Sequence, residues 1–359
     1  MSTSTKQGRR SFVWPMATLL AAAIFVLSSC KKNEPPPLHD YTQVNLVADV
    51  AGFGAARLDT NLVNPWGIAA NPSGPIWIAD NHTGLSTVYD KSGATLRPPV
   101  SIPAPGDTSA GAPAGIVFNS TPDFMTGKMP QPAKFIFATE DGTIVAWNGG
   151  DVATIMADQS TAGAVYKGLA LASDGGANFL YATNFHNGTI DVFDKNFHLV
   201  SGKPFMDPDL PAGFGPFNIR NIGDKLFVTY AKQKPDKHDD QAGPGNGYID
   251  IFSTNGMLVK RFVSQGALNS PWGIVKAAPG FCDDDGVIIV GNFGDGHINL
   301  YGEDGKFIGA LQSGKQPIVI EGLWGLDNNI PMTGRNQLFF TAGPGEESHG
   351  IFGYIRRGN

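Results

Sequence analysis

A short pattern recurs six times down this chain, about fifty residues apart, and it limits the fold more than any other feature. Each copy opens on an apolar segment built around one slot. The openings are Pro65-Trp66-Gly67-Ile68, Ala114-Gly115-Ile116-Val117, Lys167-Gly168-Leu169-Ala170, Pro216-Phe217-Asn218-Ile219, Pro271-Trp272-Gly273-Ile274 and Leu323-Trp324-Gly325-Leu326. Five copies hold glycine in the slot; the fourth holds Asn218. A second strand, a polar turn and a third strand follow each opening, as in Ile76-Trp77-Ile78-Ala79, Asp80 to Gly84, and Ser86-Thr87-Val88-Tyr89-Asp90. Several short strands per copy at this period predict an all-β protein, a six-bladed β-propeller with four antiparallel strands per blade.

The fourth strands are weaker, with Ala94 to Ile102, Val152 to Met156, His198 to Phe205, Met257 to Val263 and Phe307 to Leu311 as candidates. The sixth copy has none after Arg356-Arg357-Gly358-Asn359, whereas an orphan strand, Thr42 to Ala48, precedes the first copy. Ring closure resolves both: the N-terminal strand completes the last blade and removes exposed edges. Six innermost strands converge near one axis, so a glycine in each lets neighbouring backbones approach. Trp66, Trp272 and Trp324 read as blade-to-blade packing, with an aromatic ligand patch as the alternative.

The first residues read differently. Lys6, Arg9 and Arg10 precede an apolar run, Phe12 to Leu27, and then Leu27-Ser28-Ser29-Cys30. This is the pattern of a signal peptide over residues 1–29, and the cysteine resembles a bacterial lipobox in which Cys30 is acylated. Residues 30–40 then form a Pro-rich tether around Pro35-Pro36-Pro37, and 41–359 the propeller. The expected location is a bacterial envelope, with the membrane as partner through the lipid; Lys31 after Cys30 resembles signals for the outer membrane. The chain carries 26 basic and 32 acidic residues, so removing the three basic residues of 1–29 moves the net charge from −6 to −9. Such a chain lacks the basic stripe of a nucleic-acid binder. Cys282 alone remains after Cys30, so no internal disulfide is expected, and a monomer is expected.

In a propeller, the turns joining second and third strands gather on one face around the channel mouth. Here they carry Asp80, Asn81 and His82; Glu140 and Asp141; Asn184 and His186; Asn292 and Asp295; and Glu346, Glu347, Ser348 and His349. The fourth copy inserts a long stretch, Ala231 to Gly247, containing His238-Asp239-Asp240, which reads as a flap over the same face. Three readings compete. Oxygen ligands from Glu140, Asn184 and Asn292 could hold Ca²⁺ or another divalent metal. Histidine with carboxylate could do acid–base work, from His186, His349 or His238. Turn chemistry alone would also favour these residues. No established metal spacing, nucleophile elbow or phosphate loop is present.

The repeats resemble those of NHL-type six-bladed propellers. More closely, the chain is similar to a family of uncharacterised secreted bacterial propellers, some of which carry a PEP-CTERM-type sorting tail. The resemblance spans about residues 41 to 355. It rests on Asn64-Pro65-Trp66-Gly67-Ile68, Ala138 to Ile144, Asn184-Phe185-His186-Asn187-Gly188, the His238-Asp239-Asp240 flap with Gly243-Pro244-Gly245, Asn292 to Gly296, and Phe340 to Pro344. It implies the fold and a surface location; this chain ends at Asn359 with no sorting tail, and the lipid would replace that anchor. Lactonase-type propellers, which hold a metal with Glu, two Asn and Asp, offer a second resemblance through Glu140, Asn184 and Asn292, without a positional match to the full set. The leading functional expectation is a binding or scaffolding module that presents Asn81, His82, Asp239, Asp240, Asp295 and Glu346 to a protein, peptide or glycan. The alternative is a Ca²⁺-type lactonase- or esterase-like hydrolase or lyase at the channel. An enzyme requires these groups to converge on one point; a binding face can spread them.

Overall fold

A computed structural model describes residues 1–5, 8, 40–331 and 333–358. Cys30, the apolar run before it and the Pro-rich tether lie outside the described residues. The chain divides into two units, Met1–Pro37 and Leu38–Asn359, and the second is the propeller.

Six four-stranded antiparallel blades form the ring, and the last carries a fifth, two-residue strand, Arg57–Leu58, parallel to Tyr41–Ala48. Their inner strands are Pro65–Ala70, Pro113–Phe118, Tyr166–Asp174, Phe214–Ile222, Pro271–Lys276 and Leu323–Asp327. Each inner strand touches the next, and the sixth returns to the first. Among the described residues, helix is confined to two single turns, Asn81–Thr83 and Ser160–Ala162. No helix there is long and apolar enough to cross a membrane.

The ring closes as the orphan strand predicts. Tyr41–Ala48 pairs antiparallel with Ile351–Arg357, from Tyr41 opposite Arg357 to Ala48 opposite Ile351. The last blade therefore joins both ends of the domain. The core is divided among the six blade interfaces. Between blades six and one, for example, Leu46 and Val47 pack with Ile68, Ile76, Ile78, Phe339 and Phe352. Some outer strands are shorter than expected. In blade one the outer strand is broken into a bridge at Thr95 and the pair Val100–Ser101, because Pro98 and Pro99 between them offer no N–H. In blade three only Leu199–Val200 pairs, before Gly202 turns left-handed and Pro204 follows.

The recurring slot has a steric cause. A Cβ on Gly67 would lie 2.5 Å from the Ala114 carbonyl oxygen, and one on Gly115 2.5 Å from the Leu169 nitrogen. Asn218 replaces glycine where its side chain can act: Nδ2 donates to the Trp272 carbonyl of the next blade at 2.7 Å. A bulge at the slot shifts the register of the inner strand. The N–H it frees is taken by a threonine hydroxyl of the second strand: Thr183 for Gly168, Thr229 for Asn218 and Thr341 for Gly325. The repeat is thus a device for aiming the residues just before the slot at the channel mouth.

Candidate functional site at the channel mouth

The three tryptophans close the channel rather than line a surface. Trp66, Trp272 and Trp324 are 2%, 4% and 1% exposed and pack with Phe185, Phe217 and partly buried Phe293. Trp66 stacks on Trp324 at 3.6 Å between centroids, and Phe293 on its other side at 3.8 Å. Packing, not an aromatic ligand patch, is their role in the fold.

Above this plug a chain of polar contacts runs through five blades. Trp324 Nε1 donates to Asn64 Oδ1 at 2.9 Å. Asn64 Nδ2 donates to Glu347 Oε2 at 2.6 Å and reaches Asn81 Oδ1 at 3.5 Å. Asn81 Nδ2 donates to Glu140 Oε2 at 2.7 Å. The other Glu140 oxygen meets the Lys167 ammonium. Lys167 Nζ is also 3.6 Å from Asp239 Oδ1, which accepts from His238 Nδ1 at 2.9 Å. Lys167 is 1% exposed, and its ammonium lies 4.9 Å from the centre of the Trp66 ring. A buried ammonium needs such company: carboxylates to pair with it and an aromatic face to solvate it.

The flap delivers two of these groups because it is itself a folded hairpin. Gln233 bridges Asp240, Lys234 N–H donates to Asp239 O at 2.8 Å, and Lys237 takes a left-handed φ of 57° at the tip. Its second half is tied to blade five, where Gly243 N–H donates to Asn269 Oδ1 at 2.7 Å and Ser270 N–H to Asn246 O at 3.0 Å. Asp240 is buried here, and its Oδ2 has no partner among the described residues.

The titrations follow from these contacts. The hydrogen bond from His238 holds Asp239 well below the usual carboxylate range, against the opposing effect of burial. The same bond raises His238, so the pair favours imidazolium and carboxylate. Burial raises Asp240, with the neighbouring Ser270 hydroxyl and then Lys167 and Lys234 pulling the other way, although neither Ser270 Oγ nor Asp240 Oδ2 completes a hydrogen bond among the described residues. Burial raises Glu347, and the negative charge of Glu140 adds to it.

The anticipated residues separate into two groups. Asn81, Glu140, His238, Asp239 and Asp240 belong to the mouth. The other expected metal ligands are bonded within their own surroundings, although the buried Asn292 Oδ1 has no partner among the described residues. Asn184 accepts from the Val165 and Asn187 N–H groups and donates to Asp191. Asn292 donates to the Ala267 carbonyl and to Asp295, which also accepts from Asn269 and the His297 N–H. Among the described residues, the ligand atoms of Glu140, His238 and Asp239 lie within 4.8 Å of one another. This set does not fit a resident divalent cation. The Lys167 ammonium already contacts two of its carboxylates, and Asn81 takes the remaining Glu140 oxygen. Ca²⁺ takes about six to eight oxygens, which this cluster does not offer.

His349 is turned away to the closing blade, 2.9 Å from Asp49 Oδ2 and edge-on to Phe53. His82 and Glu346 are exposed on the same face, and His186 is half-buried. Two groups at the mouth escaped the reading of turn positions: Lys167 and Asn64. Lys167 stands immediately before the slot of its copy, and Asn64 immediately before the opening of the first. Glu347 is brought in by two successive left-handed residues, Glu346 at φ 53° and Glu347 at φ 66°.

No protein-family model matches the chain. In fold it is similar to a streptogramin B lyase, with a TM-score of 0.51 and 12% identity over 89% of this chain and 97% of that one. It is also similar to a catalytically inactive virginiamycin B lyase from Staphylococcus aureus with quinupristin, at TM-score 0.53 and 14% identity over 88% and 99% of the two chains. A Bacteroides thetaiotaomicron protein of unknown function gives 0.54 and 11%, over 88% of this chain and 77% of that chain. At these identities the likeness concerns the six-bladed fold. Sequence relatives lie in Acanthamoeba polyphaga mimivirus. The uncharacterized protein R648 is 36% identical over 315 residues, 84% of this chain and 76% of the relative. The uncharacterized protein L690 is 34% identical over 330 residues, 87% of this chain and 85% of the relative. With its repeat, its closed ring of six blades and this extent of shared sequence, the chain belongs to the same propeller family as R648 and L690.

Proposed function

We propose that the channel mouth binds a small polar molecule and moves a proton on it, as a lyase- or hydrolase-type enzyme. The observation that carries this reading is convergence: Glu140, His238 and Asp239 offer atoms within 4.8 Å of one another, drawn from two blades. Asp239 orients His238 through Nδ1 and leaves Nε2 for the ligand. Lys167, buried, and Glu140, largely buried, supply fixed charge beside the half-exposed His238–Asp239 pair. The fold neighbours include enzymes that bear the name of lyase, so the scaffold is compatible with such chemistry.

The test is a screen of esters, lactones and cyclic depsipeptides, followed by His238→Ala and Asp239→Asn. A turnover that falls about 100-fold or more in both variants, at unchanged folding, supports the reading. Turnover that survives both variants removes it.

The binding or scaffolding reading has its own support. His82 and Glu346 are exposed on the same face, outside the convergent cluster, which suits a larger peptide or glycan partner. Capture of such a partner, lost in a His82→Ala, Glu346→Ala double variant and kept in His238→Ala, would favour it.

Envelope anchoring through a lipid on Cys30 rests on residues 6–37 alone, and the sequence relatives are viral. Expression in a bacterium with labelled palmitate tests it. Label and membrane partitioning should both be lost in Cys30→Ala; partitioning that persists in that variant contradicts the anchor.

A further inference from the structure

Resting on the channel mouth as a ligand site, we infer that the ligand presents a cationic amine to the carboxylates ringing Lys167. Four carboxylates gather there: Glu140, Asp239, Asp240 and Glu347. Lys167 directly contacts only two of them, Glu140 and Asp239. Lys234, half exposed at 3.8 Å from Asp239, adds a weak surface contact. His238 balances at most Asp239. With Asp240 and Glu347 ionised, the mouth carries more negative charge than its own cations neutralise.

A second observation points the same way. Asp240 is 7% exposed and its Oδ2 finds no donor among the described residues. Asp240 and Glu347 both feel the Lys167 charge without bonding to it. A buried carboxylate oxygen left without a donor is desolvated without compensation, and a donor-bearing cation removes that penalty. The aromatic plug below tolerates a cation, because Lys167 already sits over Trp66. A divalent metal would meet the Lys167 ammonium at the same oxygens. An anion would face the excess carboxylates.

Proton linkage follows. Glu347 faces Glu140, Asp239, Lys167 and Asn64; Asp240 faces Lys167, Lys234 and Ser270. Burial raises both acids, so each gives up its proton at a higher pH than an exposed carboxyl does. A cation favours their ionised forms. Its binding should release protons and tighten as the pH rises through their titration.

The experiment is calorimetric titration of the full-length protein with putrescine, glucosamine, glucose, gluconate and calcium chloride. The expected result is binding of putrescine or glucosamine, with protons released when two buffers are compared. Glu347→Gln and Asp240→Asn should each weaken it about tenfold or more. Glu347→Gln, at a half-exposed position, guards against Asp240→Asn failing to fold. Binding of glucose, gluconate or calcium in place of the amines overturns the charge inference and leaves the ligand site standing. Amine binding unchanged in both variants also overturns it. Binding of none of the five overturns the amine inference, whereas the ligand site itself stands or falls with the turnover screen.

Discussion

Lys167 is the residue on which the site turns. It occupies the position just before the slot of the third copy, where the other openings place tryptophan, alanine or phenylalanine. A lysine 1% exposed survives only because Glu140, itself 10% exposed, meets it. Replacing Lys167 with methionine keeps the volume and leaves Glu140 buried without its cation. Such a loss costs about 3 kcal/mol or more. Urea unfolding should show that loss, and Lys167→Met with Glu140→Gln should recover much of it. An equal loss in both variants would mean that shape, not charge, is what the position requires. Backbone strain gathers around the same group. Asn64, Lys237, Ser270, Glu346 and Glu347 all take positive φ, at 47°, 57°, 46°, 53° and 66°. Asn64 and Glu347 bond to each other, so the strained turns hold them in register.

At the scale of the strand, the slot decides how closely neighbouring blades approach. Gly115→Ala would set a methyl against the Leu169 nitrogen of the next inner strand, which is backbone and cannot rotate aside. The expected destabilisation is about 1–3 kcal/mol, read by thermal or urea unfolding. Asn218→Ala tests the exception. It strands the Trp272 carbonyl that Nδ2 now serves and should cost about 1–3 kcal/mol. A neutral Asn218→Ala would show that water serves that carbonyl instead. The flap is an element in its own right, and its two anchorages explain its reach. One limb continues the strand Lys225–Lys232, and the other is pinned to blade five by Asn246 and Asn269. Its length, its glycines and its mixed charge were visible in the chain. Which of its residues turn inward was not, because that depends on the Gln233 to Asp240 bridge.

Over the whole molecule, closure and buried charge set stability. Deleting Tyr41–Ala48 would bare the Ile351–Arg357 edge and strip Leu46 and Val47 from the interface of blades six and one. Aggregation and loss of a cooperative unfolding transition are expected by size exclusion and calorimetry. Between blades three and four, Arg261 bonds both Asp207 and Asp250, two buried acids on one guanidinium. Burial pushes Asp250 up to about 7, with Arg261 pulling it down. Its folded value exceeds the unfolded one of about 4. The stability it contributes is therefore full below pH about 4 and lost as the pH rises through about 7. The difference in melting temperature between the wild type and Asp250→Asn should change over that window; a constant difference would mean that Asp250 stays ionised. The period, the alternation of short strands and the orphan N-terminal strand were enough to specify six blades and their closure. These are local signals repeated along the chain, and a closed ring is the arrangement that buries every copy equally. The polar turns also marked the face. Only the tertiary structure selected among their residues, because the mouth is assembled from side chains far apart in the chain. Asn64 and Glu347 meet across 283 positions, and Lys167 and Asp239 come from different blades. Neither the pairing of Glu140 with a buried lysine nor the diversion of Asn184, Asn292 and His349 to their own blades leaves a mark on spacing. Both follow from where the slots let neighbouring strands converge.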